Sequence, residues 1–432
     1  MGGYSKIERI IAKVLENFPL LRIVVKESYK RLTYVFYRKR GFQFRLQPLV
    51  KLQSAFEWAR IEPIPGEYFY GYYDKSPWSD DMQKMLLHHW QKGKLEVIVL
   101  EKGKAAPAKL GTTLSWNWQQ GAMAQWATID QEQEQCVVFN VINEGILGMK
   151  IIRPGSTYEQ FIPWPIQALS PRKPEALSIN YKRLFLIRDC YGYAPEVNNF
   201  TGKMDAEKDG VWRINLKTGI GHLIISLKQL MGLHPVPEMF EADHKVNHLI
   251  YSSNGERFVF LHRYYNPQGR FSRLYAANND GSCLKLLLNA RMVSHYHWLD
   301  DDTLVAWART HEHGDKYYRV NATNGDISII GENVLEHFGD GHCSVSTDGR
   351  FLLTDTYPDK ARNQRLVIYD LEKNKSHLVG TFFTPWNYYE YNRCDLHPRW
   401  SQDNNFISID STHSGKRQSY VLSMKEFLDS IG

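Results

Sequence analysis

A phrase of polar and apolar positions recurs along this chain. A polar lead is followed by an anchoring apolar residue, a short Ser-x-Asp turn and a run of strand-forming residues. It is clearest at Gly341-His342-Cys343-Ser344-Val345-Ser346-Thr347-Asp348-Gly349, which continues into Arg350-Phe351-Leu352-Leu353-Thr354. Gly and Asp tolerate the backbone angles of tight hairpins, so the phrase predicts two antiparallel strands joined by a turn. It returns as His248-Leu249-Ile250-Tyr251-Ser252-Ser253-Asn254-Gly255, as His295-Tyr296-His297-Trp298-Leu299-Asp300-Asp301 and as His397-Pro398-Arg399-Trp400-Ser401-Gln402-Asp403. The histidines are spaced 295−248 = 47, 342−295 = 47 and 397−342 = 55. Upstream the rhythm persists without the histidine, so the anchors Trp78, Trp126, Leu169, Tyr251, Trp298, Val345 and Trp400 give seven copies.

Repeats of about 40–50 residues with several strands each predict an all-β, seven-bladed β-propeller. The blades are expected to begin near 66, 112, 160, 240, 290, 335 and 385. The 82 residues from Leu169 to Tyr251 read as one blade with two long loops, 189–210 and 228–243. Its strands are expected at 174–181, 183–188, 211–216 and 222–227. Residues 55–62 alternate as a strand would, which predicts an outer strand closing the ring.

The start of the chain is different. Ser5 is placed to cap a helix whose Ile7, Ile10, Ile11, Val14 and Leu15 share one face. Residues 1–51 hold 12 Lys/Arg against 3 Glu, leaving 41 basic and 44 acidic residues in the rest. The division is therefore a basic, partly helical arm over 1–50 and a near-neutral propeller over 51–432. Basic residues interleaved with aromatics, as in Tyr29-Lys30-Arg31-Leu32-Thr33-Tyr34, suit either a helical appendage docked on the propeller with its basic face in water or an anionic membrane surface. Nucleic acid is not expected, because the body adds no positive patch. Arg22, Lys26 and Lys30-Arg31 interrupt every apolar run of the arm, which excludes a secretory leader and makes the cytoplasm the expected location. The five cysteines form no C-x-x-C pair, as expected in a reducing compartment.

The innermost strand of each blade lines a propeller's channel, so His248, His295, His342 and His397 should converge at one mouth. Asn392, Arg393 and Asp395 stand just before His397. Imidazole, amide and carboxylate donors suit a divalent Mn, Fe or Zn ion, with one histidine left as a base near neutral pH. Arg188, Arg263, Arg309 and Arg393 are candidates to reach an anionic substrate. Loops carrying Tyr72, Asp74, Lys75, Trp118, Gln120, Tyr191 and Tyr193 place aromatic rings beside polar groups, as a carbohydrate groove needs. No G-x-S-x-G nucleophile elbow occurs, which argues against serine-hydrolase chemistry.

The run through His248 to Phe260-Leu261-His262-Arg263, then Ser294-His295-Tyr296-His297-Trp298 and Asn392-Arg393-Cys394-Asp395-Leu396-His397-Pro398, resembles the oligogalacturonate lyase family. The chain is also similar to propellers encoded among bacterial exopolysaccharide genes. The resemblance implies a seven-bladed propeller that cleaves acidic oligosaccharides by β-elimination with bound Mn²⁺. It puts His248 at the base and His295 among the metal ligands. The family's Gln-x-x-His-x-His ligands fall on Asn392, Asp395 and His397, and the repeat register adds His342. The family's essential arginine falls near Gly210, where this chain has none. In the implied chemistry, Arg188 and Arg263 help the metal neutralise a uronate carboxylate. His248 takes the C5 proton, and Tyr72 or Tyr191 protonates the leaving oxygen. The competing expectation is a non-catalytic propeller that binds glycan or scaffolds polysaccharide assembly.

Overall fold

The computed structural model describes residues 19–129, 134–193 and 205–432. Among them, the strands form seven antiparallel sheets arranged as the blades of a propeller. Blade 1 comprises Glu67–Phe69, Lys84–Gln91, Lys94–Glu101 and Ala108–Thr113, from the channel outward, and blade 2 follows over Gln125–Ala127 to Glu159–Ile162. Blades 3, 4 and 5 begin with Ala168–Leu169, Asp243–Tyr251 and Val293–Trp298. Blade 6 begins with Ser344–Val345 and blade 7 with Arg399–Trp400.

The ring closes with Lys51–Ser54 as the outer strand of blade 7, where Leu52 faces Leu422. Residues 55–62, expected to be that strand, instead open with a helix, Ala55–Ala59. The reason is local. Ser54 Oγ accepts the Glu57 amide (3.1 Å), while Glu57 Oε2 accepts the Ser54 amide (2.7 Å). This capping box turns the chain and buries Phe56 and Trp58. Residues 44–46, expected in the arm, add a fifth strand to blade 6, with Arg45 opposite Thr381.

Blade 3 departs from expectation in the same way. Residues 183–188 are not a strand but lie largely within a helix, Tyr181–Ile187, because Asn180 Oδ1 caps the Arg183 amide at 3.0 Å. The remaining strands of the blade, Glu175–Ser178, Gly210–Asn215 and Gly221–Ser226, fall close to where they were expected. The helix proposed after Ser5, and part of the 189–210 loop, lie outside the described residues.

The repeated Ser-x-Asp/Asn phrase has one structure in four blades. In each, the serine hydroxyl bonds the acid or amide two residues on: Ser79–Asp81 (2.5 Å), Ser252–Asn254 (2.8 Å), Ser346–Asp348 (2.5 Å) and Ser401–Asp403 (2.6 Å). The same oxygen accepts the amide that starts the next strand, as from Phe351 and Phe406 (both 2.9 Å). Trp126 and Trp298 tie their blades to the preceding one by donating to Pro77 and Ile250 carbonyls (2.8 and 3.2 Å).

At the other end of the inner strands, a polar residue on a second strand holds the next blade. The Ala122 amide donates to His88 Nε2 (2.9 Å), the Ile166 amide to Asn140 Oδ1 (2.6 Å) and the His397 amide to Asp355 Oδ2 (3.1 Å). Asp410 completes the circle by accepting the Tyr70 and Gly71 amides, each at 3.1 Å. Buried amides need such partners, and these four residues place the loops that carry the functional side chains.

The helix Pro19–Tyr37 docks beside that end. Tyr34 meets Trp386 (centroids 5.4 Å), and Tyr389 Oη donates to Glu27 (2.8 Å) and accepts from Lys30. Leu21, Val24, Leu32, Val35 and Phe36 are exposed on it, among exposed Lys26, Arg31 and Arg38. No helix among the described residues is long and apolar enough to cross a membrane.

Candidate active site at the channel mouth

The four repeat histidines converge. Ring centroids of His295 and His342 lie 4.2 Å apart, and those of His342 and His397 4.3 Å. Tyr72 and Tyr73 fill the space between these and His248, with Tyr72 4.9 Å from His248 and 5.1 Å from His397. Tyr73 lies 5.4 Å from His248 and 5.7 Å from His295. All four imidazoles are at most 3% exposed.

Irregular backbone aims them inward. Between Asn247 and Ile250 the pairing with the next strand slips, and His248 takes φ 56°. A second slip brackets His295, between Val293 and Tyr296, and His397 has φ 43°. Left-handed conformations of bulky residues cost about 1–3 kcal/mol, and bulges re-aim side chains beside active sites. Ahead of His342 stands Gly341, where a Cβ would lie 1.9 Å from the Asp355 carbonyl oxygen. Only glycine fits there.

Carboxylates orient two of the rings. His342 Nδ1 bonds Asp355 (2.9 Å), and His295 Nδ1 bonds Asp340 (2.9 Å), which Ser294 Oγ also contacts (2.7 Å). This is the arrangement that fixes the tautomer of a metal-binding histidine and leaves Nε2 to the ion. His342 Nε2, His397 Nε2 and Asp395 Oδ1 are all buried without a hydrogen-bond partner. One ligand atom each from His342, Asp395 and His397 lies within 4.8 Å of the others. Two imidazoles and a carboxylate with orphaned atoms fit a divalent cation, with His295 adjoining.

Asn392 is not part of this set. Its Oδ1 accepts the Tyr389 amide (3.2 Å) and its Nδ2 donates to the Asn387 carbonyl (2.9 Å), so the expected amide ligand is spent on a turn.

The charges sort the histidines by role. Burial, then the charge of Lys75 and the neighbouring imidazoles, holds the His248 pKa well below the usual histidine value. Both of its nitrogens lack a hydrogen-bond partner, though Nε2 lies 3.6 Å from Asp74. Burial likewise depresses His397 strongly, and it lowers His295 against the pull of Asp340. For His342, burial works downward, but Asp355 outweighs it and the pKa is raised. Asp395 is the mirror case, with burial overcome by Arg393 and His342, so it stays ionised. Burial pushes the Tyr72 hydroxyl well above the usual phenol value.

Other expected residues divide between rim and interior. Arg393 Nε donates to Asp395 (2.7 Å), and its Nη2 reaches Tyr191 Oη and Gln119 Oε1 (both 3.2 Å). Arg188 lies over the Tyr191 ring at 4.7 Å, and Arg263 is half-buried on the second strand of blade 4. Lys75 donates to Asp74 (2.7 Å), which links the histidine ring to a cavity of about 300 Å³ lined also by Trp78, Trp126, Ser170 and Gln402.

Tyr193 is fully buried, stacked on Tyr181 at 4.3 Å and bonded to Asn140, so it packs the core and offers no face to a substrate. Trp118 sits under Arg417 (4.4 Å) and against Trp116 (4.8 Å), while Gln120, two residues on, is buried. Arg309 is tied by both arms to exposed Asp315 (2.6 and 2.9 Å) and has no contact with the histidines.

Sequence reading missed Asp340 and Asp355, and took Tyr73 and Gln119 only as members of the aromatic rim loops. The usable signal for the first two was the rule that a ligating histidine donates its second N–H to an acid. Asp340 lies two residues before His342, and Asp355 ends the strand that follows it.

No family model and no curated protein matches this chain. Solved structures do. The oligogalacturonate lyase of Vibrio parahaemolyticus superposes with a TM-score of 0.60 at 12% identity, covering 88% of this chain and 96% of that one. An oligogalacturonate lyase in complex with manganese gives 0.56 at 15% identity, covering 90% and 95%. The chain shares their propeller fold.

Proposed function

We propose that this protein is a metal-dependent lyase that cleaves uronate-containing oligosaccharides or polysaccharides by β-elimination. The observation that carries the reading is the set of orphaned, buried atoms of His342, Asp395 and His397 beside the buried imidazole of His248, whose nitrogens have no hydrogen-bond partner. The shared fold with a manganese-bound oligogalacturonate lyase supports it. Held by His342, Asp395 and His397, a divalent ion, Mn²⁺ ahead of Zn²⁺ or Fe²⁺, would supply positive charge to the substrate carboxylate and so acidify the neighbouring C–H.

The chain's own residues supply the rest. His248 stays neutral at neutral pH, and with its Nε2–H turned to Asp74 its Nδ1 is the free acceptor for the C5 proton. Asp74 then stabilises the imidazolium. As the C5–H and C4–O bonds break, the C4=C5 double bond forms. The Tyr72 hydroxyl, which keeps its proton at neutral pH, gives it to the leaving oxygen. Arg188, Arg263 and Arg393 stand at the rim, where an acidic chain would enter.

Incubation with Mn²⁺ and a panel of acidic oligosaccharides should give a product whose new double bond absorbs in the near ultraviolet. Metal-loaded protein that yields none across the panel would leave the non-catalytic glycan-binding reading in its place.

A further inference from the structure

We infer that Lys245, Arg263 and Arg188 form a seat for an oxyanion, a carboxylate or sulfate carried by a sugar ring. The sugar rests on the function proposed above; the seat does not. Lys245 is 1% exposed on the inner strand of blade 4, three residues before His248. Arg263 is its direct cross-strand partner. Arg188 comes from blade 3, at the C-terminal end of the helix Tyr181–Ile187. The ring of Tyr265 lies 5.0 Å from the Lys245 ammonium.

None of the three forms an ion pair or a hydrogen bond from its side chain among the described residues, and Arg263 Nε is buried without an acceptor. The buried arginines, and half-buried Arg393, behave otherwise. Arg183 pairs with Asp209, Arg393 with Asp395 and Arg399 with Asp410. Arg273 donates to the carbonyls of Leu230, Leu233 and His234, and Arg362 to those of Thr384 and Tyr388. Buried charges are paired because an unpaired one is costly to desolvate. Among the described residues, three basic side chains gathered with no carboxylate among them are a site that a ligand completes.

Burial, and then the charges of Arg263 and Arg188, depress Lys245 well below the usual lysine pKa. An oxyanion accepting from all three would remove that repulsion. Planar guanidinium groups bind carboxylate and sulfate oxygens in pairs, and the ammonium adds a point charge. Arg263 also acts on His248, so the seat adjoins the proposed base.

The test uses the full chain in EDTA, so that neither metal nor turnover contributes. Sodium sulfate and sodium galacturonate are titrated by calorimetry against matched sodium chloride. Wild type should bind at least one of them saturably, with the tighter arm naming a sulfated or a uronate sugar. K245M should bind at least tenfold more weakly, while its melting temperature without anion stays level or rises, since a buried unpaired charge is gone. Should K245M fold poorly, R263Q carries the same reading. Equal binding by wild type and a folded variant, or no anion effect beyond sodium chloride in wild type, overturns the seat. A protein that fails the lyase assay but passes this one retains it.

Discussion

An H248N enzyme is expected to lose eliminative turnover by about 10²–10⁴-fold, the usual contribution of a positioned general base, while its KM for the acidic oligosaccharide stays within a few-fold. Asparagine is the informative replacement because it tolerates the left-handed backbone that His248 adopts at φ 56°. No hydrogen-bond partner is orphaned by the change, since both ring nitrogens lack one. The effect therefore reads proton transfer and not a collapsed site. The direction of the His248 shift adds a pH test. Its pKa lies below 6.5, so the neutral base persists and the wild-type rate should not fall between pH 7.5 and 6.5 on its account. A fall in affinity with turnover unchanged would instead mark His248 as a binding residue.

Folding stability is expected to drop by several kcal/mol between pH 7 and about pH 4, with urea unfolding at stepped pH as the readout. His88 carries the argument. Its Nδ1–H donates to the Tyr70 carbonyl (2.8 Å) and its Nε2 accepts the Ala122 amide (2.9 Å), so a second ring proton would face an N–H. Burial takes its pKa down to about 4. His413 is also lowered by burial to about 4. The native state thus binds fewer protons than the unfolded chain below pH 6.5. The stability is complete above that value and is lost as pH falls toward 4, by about 3 kcal/mol for each of the two. The chain from Arg273 to His262 to His244 to the Met239 carbonyl adds to the loss, because protonating either ring reverses a donor. H88N should flatten part of the profile at a cost in stability at pH 7. A profile already flat in wild type would contradict the neutral assignment.

The seven blades and the convergence of the histidines were legible because rotational repetition writes itself into spacing. One anchor and one turn per blade recur where each inner strand meets the next. The errors fall where a local cap competes with alternation. Ser54 with Glu57 and Asn180 with the Arg183 amide each turn a strand-like pattern into a helix. The closing strand was then displaced to Lys51–Ser54, whose partner lies at the far end of the chain. At the site, the residues that aim the ligands were not legible. Asp355 takes three donors, His342 N, His342 Nδ1 and His397 N, and the last is 42 residues away. Asn392 was misread because chain proximity to His397 says nothing about which way a capping side chain is committed.

The converging imidazoles are tested most directly by calorimetric titration of Mn²⁺ into EDTA-stripped protein, wild type beside an H342A/H397A variant. The expected result is one saturable site per chain in wild type and none in the variant. Absence of a site in wild type, or equal binding by both proteins, would contradict a metal centre at this mouth.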